Sequence, residues 1–416
     1  MDTCARHAQA LALAGVALSA VAVLLARRPE VITQPQFYAE DGQAWYADAH
    51  NNGFVSLFVP VGGYLNTVQR LVGLACGGMP LQSAALVFGL VALGMQTLPA
   101  IMFASSRFRD VIGHDGLRAL VAMVYVVMPN PELTGNLTNT QWHLAVLAFL
   151  VIVASTPRSR SGRVFDIAVL ALSGLSGPYA LFLFPIALWR HRDDLRGFRR
   201  ITVIVLGLTA LVQLLILVPS MIVAPRSGAQ LGFAADRFFL IVTNQMLTRF
   251  TAHAIGPPLL ALAVAVAVAT VIVLAAGWLR GSSELRAFIA FAVLIAASGL
   301  LLPYTRLPQT LPAWQVIATG RAGNRYFFLL SVALALSILA IVATVRGHTH
   351  HPGARWWPGV TMAVVMVAAS AGAWRYLPLP DENLDHYQAV IDHSPAGTVV
   401  SVPIDPTGWS MQVRAG

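Results

Sequence analysis

Long apolar stretches recur along the whole chain and are separated by shorter polar connections. A helix that crosses a bilayer needs about 20 mostly apolar residues, and several of these stretches reach that length. The pattern therefore predicts an all-α polytopic membrane protein with about eleven transmembrane helices. The third to sixth are too short to span alone and are expected to form two pairs. The expected helices cover residues 8–26, 81–105, 118–129, 141–156, 164–176, 179–189, 201–224, 257–279, 286–303, 326–345 and 357–377.

The composition supports this class and excludes a soluble enzyme. Hydrophobic residues make up 57% of the 416 residues and charged residues only 11%, whereas roughly a quarter of the residues are charged in a typical soluble domain. The formal net charge is +9, and all 27 basic residues are arginines. They lie mainly in connections between apolar segments, which favours roles in topology and phosphate binding and predicts no nucleic-acid partner.

The arginines also predict the orientation. With the N-terminus in the cytoplasm, most of the arginine-rich short connections fall on the cytoplasmic side, as the positive-inside rule requires. The outer loops are then 27–80, 130–140, 225–256 and 304–325. Two units follow, namely a transmembrane domain over 1–377 that carries these loops and a short extracytoplasmic tail over 378–416. We expect a multi-pass protein of the plasma (inner) membrane of a bacterium.

The first outer loop has the densest group of candidate chemistry. Glu40 and Asp41 follow the first span, and Trp45 and Asp48 come shortly after. If a helix begins after Asp41, then Asp41, Trp45 and Asp48 share one face at i, i+4 and i+7. An aromatic ring between two acids suits stacking on a sugar, while the acids hold a hydroxyl or a cation. Alternatively, Asp41 caps an interfacial helix and Trp45 anchors it at the membrane surface.

The second outer loop, 129–143, is rich in amides and hydroxyls and contains one acid and one histidine. Asn136 and His143 are its candidate substrate-binding residues, on the interpretation that the loop forms the polar floor of a cleft that faces the first loop. The alternative is that these side chains cap the ends of short helices.

Three arginines mark a later outer loop. Arg306, Arg321 and Arg325 lie within 304–325, and the last two precede an aromatic run that begins at Tyr326. The guanidinium fork binds phosphate oxygens bidentately, so arginines beside aromatic residues at an outer membrane surface suit a lipid-linked phosphate. The alternative is that long arginine side chains extend from span ends to the interface.

Two further outer segments have predicted structure without assigned chemistry. Residues 61–72 suit a half-buried helix in the membrane interface, either as a structural element or with Arg70 as a contact to a lipid phosphate. Residues 399–409 indicate one short apolar strand and a turn. This part of the tail either covers an active cleft or packs on the outer loops.

With these segments in place, the chain resembles the GT-C class of integral-membrane glycosyltransferases. These enzymes have many spans and a long first outer loop with an acidic motif. Glu40-Asp41 stands where that class has this motif, and Arg321 and Arg325 look like the arginines that hold the donor phosphate. Residues 136–143 occupy the region of its second active-site loop. The resemblance covers the whole topology through short motifs.

The resemblance implies an inverting transfer of a sugar from a polyprenyl-phosphate donor to a glycan, lipid or protein acceptor at the outer face of the membrane. Asp41 would be the general base, and Glu40 or Asp48 would orient the acceptor or hold a divalent cation. Arg321 and Arg325 would bind the donor phosphate. The cation would be Mg²⁺ or Mn²⁺ on Glu40 and Asp41. Because the first loop has no strict Asp-x-Asp, the need for a metal stays open.

Two other classes of protein stay open. The first is a lipid-linked saccharide flippase or another membrane transporter. The predicted spans place no acidic residue at mid-depth, although ion-coupled carriers normally keep such groups. The second is a non-catalytic membrane scaffold, which predicts that the Glu40-Asp41 pair lies far from Arg321 and Arg325.

Overall fold

The computed structural model describes residues 3–223, 230–251, 255–302, 311–320, 323–345 and 357–416. Most of them are helical, and a two-stranded antiparallel sheet, β1 (Val399–Ile404) and β2 (Trp409–Arg414), lies in the C-terminal tail. The α-helices are α1 (Thr3–Arg27), α2 (Glu30–Thr33), α3 (Ala47–Asn52), α4 (Thr67–Cys76), α5 (Leu81–Ala104), α6 (Asp115–Val127), α7 (Thr140–Val153), α8 (Arg160–Gly174), α9 (Tyr179–His191), α10 (Gly197–Val223), α11 (Ala235–Thr251), α12 (Leu260–Arg280), α13 (Ser283–Leu301), α14 (Ala313–Ile317), α15 (Asn324–Val345), α16 (Trp357–Ala369) and α17 (Leu384–His393).

Every apolar segment predicted to span the membrane overlaps an α-helix. The part of the chain that the structure describes contains six helices long and apolar enough to cross a bilayer, so the protein is a helical, multi-pass membrane protein. Helices α6, α7, α8, α9 and α16 are shorter, at 13 to 15 residues. The six long helices are Gln9–Arg27, Leu81–Ala104, Gly197–Val223, Pro257–Arg280, Ser283–Leu301 and Asn324–Val342.

Helix α7 lies inside the bundle, and the second outer loop leads into its first residue, Thr140. All 14 of its residues are buried, and it packs against α5, α8 and α9. A helix that is apolar on every face is expected to be surrounded by other helices, and residues 144–153 have that composition. Because α7 begins at Thr140, its packing fixes the position of the loop that leads into it.

Helix α11 is not predicted by the sequence, which assigns 225–256 to an outer loop. Polar residues interrupt its apolar ones, and three consecutive polar residues, Thr243, Asn244 and Gln245, are buried. Thr243 and Asn244 donate hydrogen bonds of 2.7 Å to the carbonyl oxygens of Ala263 and Ala318. The polar face of this helix thus finds its hydrogen-bond partners on segments that are remote in sequence. The hydropathy of the helix itself does not reveal those partners.

The C-terminal tail folds onto the first outer loop and shares a hydrophobic core with it. This core lies outside the main helical bundle and joins side chains from the first loop and α5 to side chains from α17 and the hairpin. The first loop and α5 contribute Phe37, Trp45, Tyr46, Leu81 and Phe88. The tail contributes Leu384, Val402, Ile404, Met411 and Val413.

Hydrogen bonds fix the tail in the same place. The backbone N–H of Ala39 donates to the carbonyl of Asp405. Asn51 donates to the carbonyl of Gln412 at 2.7 Å and accepts from the backbone N–H of Arg414 at 2.9 Å. Of the two alternatives for the tail, packing on the outer loops is therefore the one observed. The strand predicted within 399–409 is confirmed as β1, whereas its partner β2 is not predicted.

Helix α4 approaches the turn at Asp41–Tyr46 so closely that the contact leaves no room for a side chain on α4. It begins at Thr67, later than the predicted helix at 61–72, because Gly62 and Gly63 adopt φ values of +66° and +85° in a tight turn. Further along the helix, a Cβ atom at Gly73 would overlap the backbone carbonyl of Trp45. The glycine therefore sets the distance between α4 and the turn that carries the acidic pair.

We predict that Gly73→Ala lowers the thermal stability of the purified protein. Alanine is normally more favourable than glycine inside a helix by about 1 kcal/mol, but here the added methyl group has to displace the Trp45 carbonyl. Overpacking of this kind costs about 1–3 kcal/mol. Gly78→Ala is the matched control, because a Cβ at Gly78 meets no atom within 4 Å. Equal thermal unfolding of the two variants in detergent would contradict the close approach.

Candidate functional site

The backbone turns sharply just before the Glu40-Asp41 pair. Ala39 has φ +52°, a left-handed conformation that costs a residue other than glycine roughly 1–2 kcal/mol. Residues Asp41–Tyr46 then form a turn of π-helix, a feature that is frequent at functional sites. The two neighbouring acids consequently have different surroundings. Asp41 exposes 2% of its surface, whereas Glu40 is half-buried.

The Asp41 carboxylate joins the first outer loop to the second. Its Oδ1 accepts hydrogen bonds from the backbone N–H and the hydroxyl of Thr138, each at 2.6 Å, and its Oδ2 accepts from the backbone N–H of Leu137 at 3.1 Å. Burial raises the pKa of the Asp41 carboxyl to about 7, although the hydrogen bonds favour the ionised form and act in the opposite direction. Both oxygens are thus occupied, and a substrate has no open access to the predicted general base.

Trp45 and Asp48 belong to the framework around Asp41. The indole N–H of Trp45 donates to the Thr138 hydroxyl at 2.9 Å, and the guanidinium of Arg70 lies 5.0 Å above the indole ring. Arg70 also forms a 2.7 Å ion pair with Asp48. Trp45 exposes only 2% of its surface, so its ring offers no open face to a sugar. Arg70 exposes 1%, which excludes the lipid-phosphate contact considered for it.

Glu132 and Arg325 form an ion pair beside the acidic turn. The Arg325 guanidinium lies 2.7 Å from Oε1 of Glu132, and the backbone N–H of Arg325 donates to Oε2 at 3.1 Å. Arg325 is in the first turn of α15, where backbone N–H groups lack partners within the helix and a negative charge is favourable. The predicted phosphate ligand Arg325 is therefore already paired with the acid of the second loop.

Four further half-buried side chains lie around this ion pair, namely Tyr38, Glu40, Tyr64 and Tyr326, and together with Glu132 and Arg325 we call them the outer cluster. Arg325 interacts electrostatically with Glu40, Tyr64 and Tyr326 as well as with Glu132. Burial raises the pKa of the Tyr38 phenol well above its usual range, so this hydroxyl remains a hydrogen-bond donor at neutral pH. The structure thus places Glu40 near Arg325, while Arg321, the other arginine on which the scaffold alternative depends, lies outside the described residues.

Asn136 and His143 lie outside this cluster. Asn136 accepts a 3.0 Å hydrogen bond from the backbone N–H of Asn139, immediately before α7, and so supports the start of that helix. His143 is buried inside the bundle, where Nδ1 lies 2.6 Å from the hydroxyl of Tyr125 and the ring packs against Phe328. Asn136 thus fits the capping interpretation of the second loop, whereas His143 is a buried packing residue inside α7 and fits neither capping nor contact with a substrate in the outer cluster.

The remaining predicted phosphate ligands, Arg306 and Arg321, lie outside the described residues. Conversely, the sequence assigns no role to Thr138 or to Tyr38. Thr138 had no distinguishing signal among the hydroxyls and amides of its loop. Tyr38 stands two residues before Glu40, so its proximity to the acidic pair was the available signal.

The described residues do not assemble the predicted divalent-cation site. Among them there is no group of three or more His, Cys, Asp or Glu side chains placed to hold a metal ion. Both oxygens of Asp41 also accept hydrogen bonds from the second loop. Glu40 alone therefore remains as an accessible carboxylate of the pair, which does not fit a Mg²⁺ or Mn²⁺ site, and we assign no chemical step to a metal.

Comparison of the chain with protein-family models, with curated proteins and with solved structures gives no match.

We predict that Thr138→Val lowers the stability of the protein, whereas Thr138→Ser retains it. Valine removes the hydroxyl that bridges Asp41 and Trp45 and leaves two buried polar groups short of a partner, at a cost of about 1–3 kcal/mol. Serine keeps the hydroxyl. Thr33→Val is a matched control at an exposed threonine. Thermal unfolding in detergent measures the effect, and a Thr138→Val protein as stable as the control would refute the bridge.

Asp405 provides a pH-dependent prediction. It exposes 1% of its surface, and Oδ2 has no hydrogen-bond partner in the described structure. Burial and the carboxylate of Glu382 raise its pKa from 3.8 to about 7, against the effect of Arg28. Between these two pH values the folded chain binds more protons at this group than the unfolded chain. The contribution of Asp405 to the free energy of unfolding therefore falls as the pH rises from about 4 to about 7.

We expect Asp405→Asn to be more stable than the parent protein at pH 8, because the amide removes a buried charge, and to lose this advantage at pH 4. Asp193→Asn is the control, since the Asp193 side chain is 90% exposed. The measurement is the melting temperature of the parent protein and of both variants between pH 4 and pH 8. An advantage that does not change with pH would show that Asp405 does not titrate as described.

Proposed function

We propose that this chain is a membrane glycosyltransferase of the GT-C type. In this proposal all eleven apolar helices cross the plasma membrane, with the N-terminus in the cytoplasm and the tail outside. The outer cluster then faces the extracytoplasmic side, where a polyprenyl-phosphate sugar is the donor and a glycan, lipid or protein of the cell envelope is the acceptor. The arginines of the short connections support this orientation.

The observation that carries the proposal is the difference in burial and in binding partners between two adjacent acids. Asp41 is buried and bound by the second loop, while Glu40 is half-buried and interacts with Arg325. An accessible carboxylate beside an arginine is the pair needed to remove a proton from a hydroxyl and to stabilise a leaving phosphate. We therefore assign the role of general base to Glu40 and a positioning role to Asp41.

The reaction proceeds by direct displacement at the anomeric carbon. The acceptor hydroxyl oxygen forms a bond to the anomeric carbon, and the Glu40 carboxylate takes the proton of that hydroxyl. The bond between the carbon and the phosphate oxygen breaks, and the electron pair leaves with the polyprenyl phosphate. Arg325 stabilises the charge that develops on this leaving group. The proton on Glu40 then passes to water.

Glu132 has a specific place in this scheme. Because it is paired with Arg325, the donor phosphate has to share the guanidinium with a carboxylate or displace it. Arg306 and Arg321, which belong to the same outer loop in the sequence, are proposed to supply the additional positive charge. Tyr64 and Tyr326 present half-buried rings near Arg325, and aromatic rings of this kind are suited to packing against the sugar.

We predict that Glu40→Gln abolishes sugar transfer while the protein still folds, because the amide keeps the size of the side chain but cannot accept the proton. A proton transfer of this type contributes typically 10²–10⁴-fold to the rate. Mass spectrometry of envelope glycans and polyprenyl-phosphate sugars in a deletion strain is the readout. Complementation with the parent gene should restore the missing sugar, and Glu40→Gln should leave the donor accumulated.

Asp381→Asn, at an exposed acid of the tail, is the matched control and should restore transfer. Full activity of Glu40→Gln with loss in Asp41→Asn would return the role of base to Asp41. An unchanged glycan profile in the deletion strain would contradict glycosyl transfer. Movement of an intact lipid-linked saccharide by the purified protein in vesicles, without a new glycosidic bond, would identify the flippase alternative instead.

A further inference from the structure

A cavity lies toward the arginine-rich end of the bundle, next to the C-terminal half of α15, whereas the outer cluster lies where α15 begins. It has a volume of about 260 Å³, is open on one side, and is lined by residues of α5, α6, α7, α12, α13 and α15 and of the connections after α5 and α12. Its walls are almost entirely apolar. The largest wall side chains are Phe103, Phe149, Phe288, Leu336 and Leu339.

The size and lining of this cavity call for an apolar occupant. Engineered apolar cavities of about 150 Å³ stay dry and take up molecules such as benzene, and this cavity is larger. Water would find few partners, since the polar residues of the lining, Arg280, Ser282 and Glu284, lie together where α12 gives way to α13. In a membrane protein the available apolar molecule of elongated shape is a lipid chain.

The charge of the polar residues at the mouth of the cavity determines which lipid head group fits there. Glu284 is neutralised by Arg190 at 2.6 Å. Arg280 is exposed, and none of the ion pairs among the described residues includes it. The mouth therefore carries a net positive charge. Basic pockets between transmembrane helices at the cytoplasmic side are suited to anionic lipid head groups.

We propose that this cavity is a binding site for an anionic phospholipid. One acyl chain enters between α7, α13 and α15, and the phosphate of the head group contacts Arg280. The position of Arg280 at the last residue of α12 and of Glu284 in the first turn of α13 places this contact where a helix pair meets the membrane surface. A bound lipid would fill the space between four helices and stabilise their packing. The site is independent of the outer cluster and of the sugar-transfer proposal.

The test is native mass spectrometry of the delipidated full-length protein in detergent, titrated with phosphatidylglycerol or with phosphatidylcholine of the same acyl chains. We expect one phosphatidylglycerol to bind more tightly than phosphatidylcholine, by about fivefold, the contribution of one basic residue at an anionic membrane surface. Arg280→Ala should reduce the affinity for phosphatidylglycerol to that for phosphatidylcholine. Arg280→Lys, which keeps the charge, should retain most of the preference.

Two variants complete the design. Ala340→Phe places a ring into the cavity from α15 and should remove the binding of both lipids, whereas Arg196→Ala changes an exposed arginine that does not line the cavity and should have no effect. Equal binding of the two lipids by the parent protein, or binding unchanged in Arg280→Ala and Ala340→Phe, would overturn the proposal. Preferential displacement of phosphatidylglycerol by undecaprenyl phosphate would also overturn it and would identify a site for the lipid carrier.

Discussion

The structure around the acidic turn depends on one buried carboxylate, that of Asp41. An ionised group removed from water is costly unless hydrogen bonds replace its hydration, and in the described part of the chain Leu137 and Thr138 of the second loop donate such bonds to Asp41. The first loop is therefore bound to the chain that leads into α7, the helix buried on every side. Since Asp41 points inward, Glu40 is left at the accessible surface, beside the ion pair of Glu132 and Arg325.

The tail secures the same turn from its other side. Ala39 is held in a left-handed conformation where its N–H meets the Asp405 carbonyl. A Cβ at the neighbouring Gly42 would lie 3.0 Å from the Ile404 side chain and 3.1 Å from the Met411 sulfur. Backbone strain persists only where surrounding structure over-determines it, and here two segments that are remote in sequence provide that constraint. The acidic turn is consequently a fixed feature and not a flexible loop tip.

Sequence reasoning located the helices well because apolar length is a local property, and each predicted span overlaps a helix. It did not predict α11, whose polar residues are satisfied by Ala263 and Ala318, or β2. It singled out Glu40, Asp41 and Arg325, of which the structure places Glu40 near Arg325, but it did not distinguish the two acids. That distinction arises from hydrogen bonds across about a hundred residues of sequence, which no spacing within the first loop encodes. The interior positions of Trp45 and His143 have the same non-local origin.

The central claim is that Asp41 and Thr138 act together, and a double-mutant cycle measures this directly. The free energies of unfolding of the parent protein, Asp41→Asn, Thr138→Val and the double variant give their coupling energy. Residues in one hydrogen-bond network show coupling of about 0.5–3 kcal/mol, and we expect a value in the upper half of that range. A parallel cycle of Asp41→Asn with Thr33→Val should be additive. Additivity for Asp41 and Thr138 as well would contradict the account.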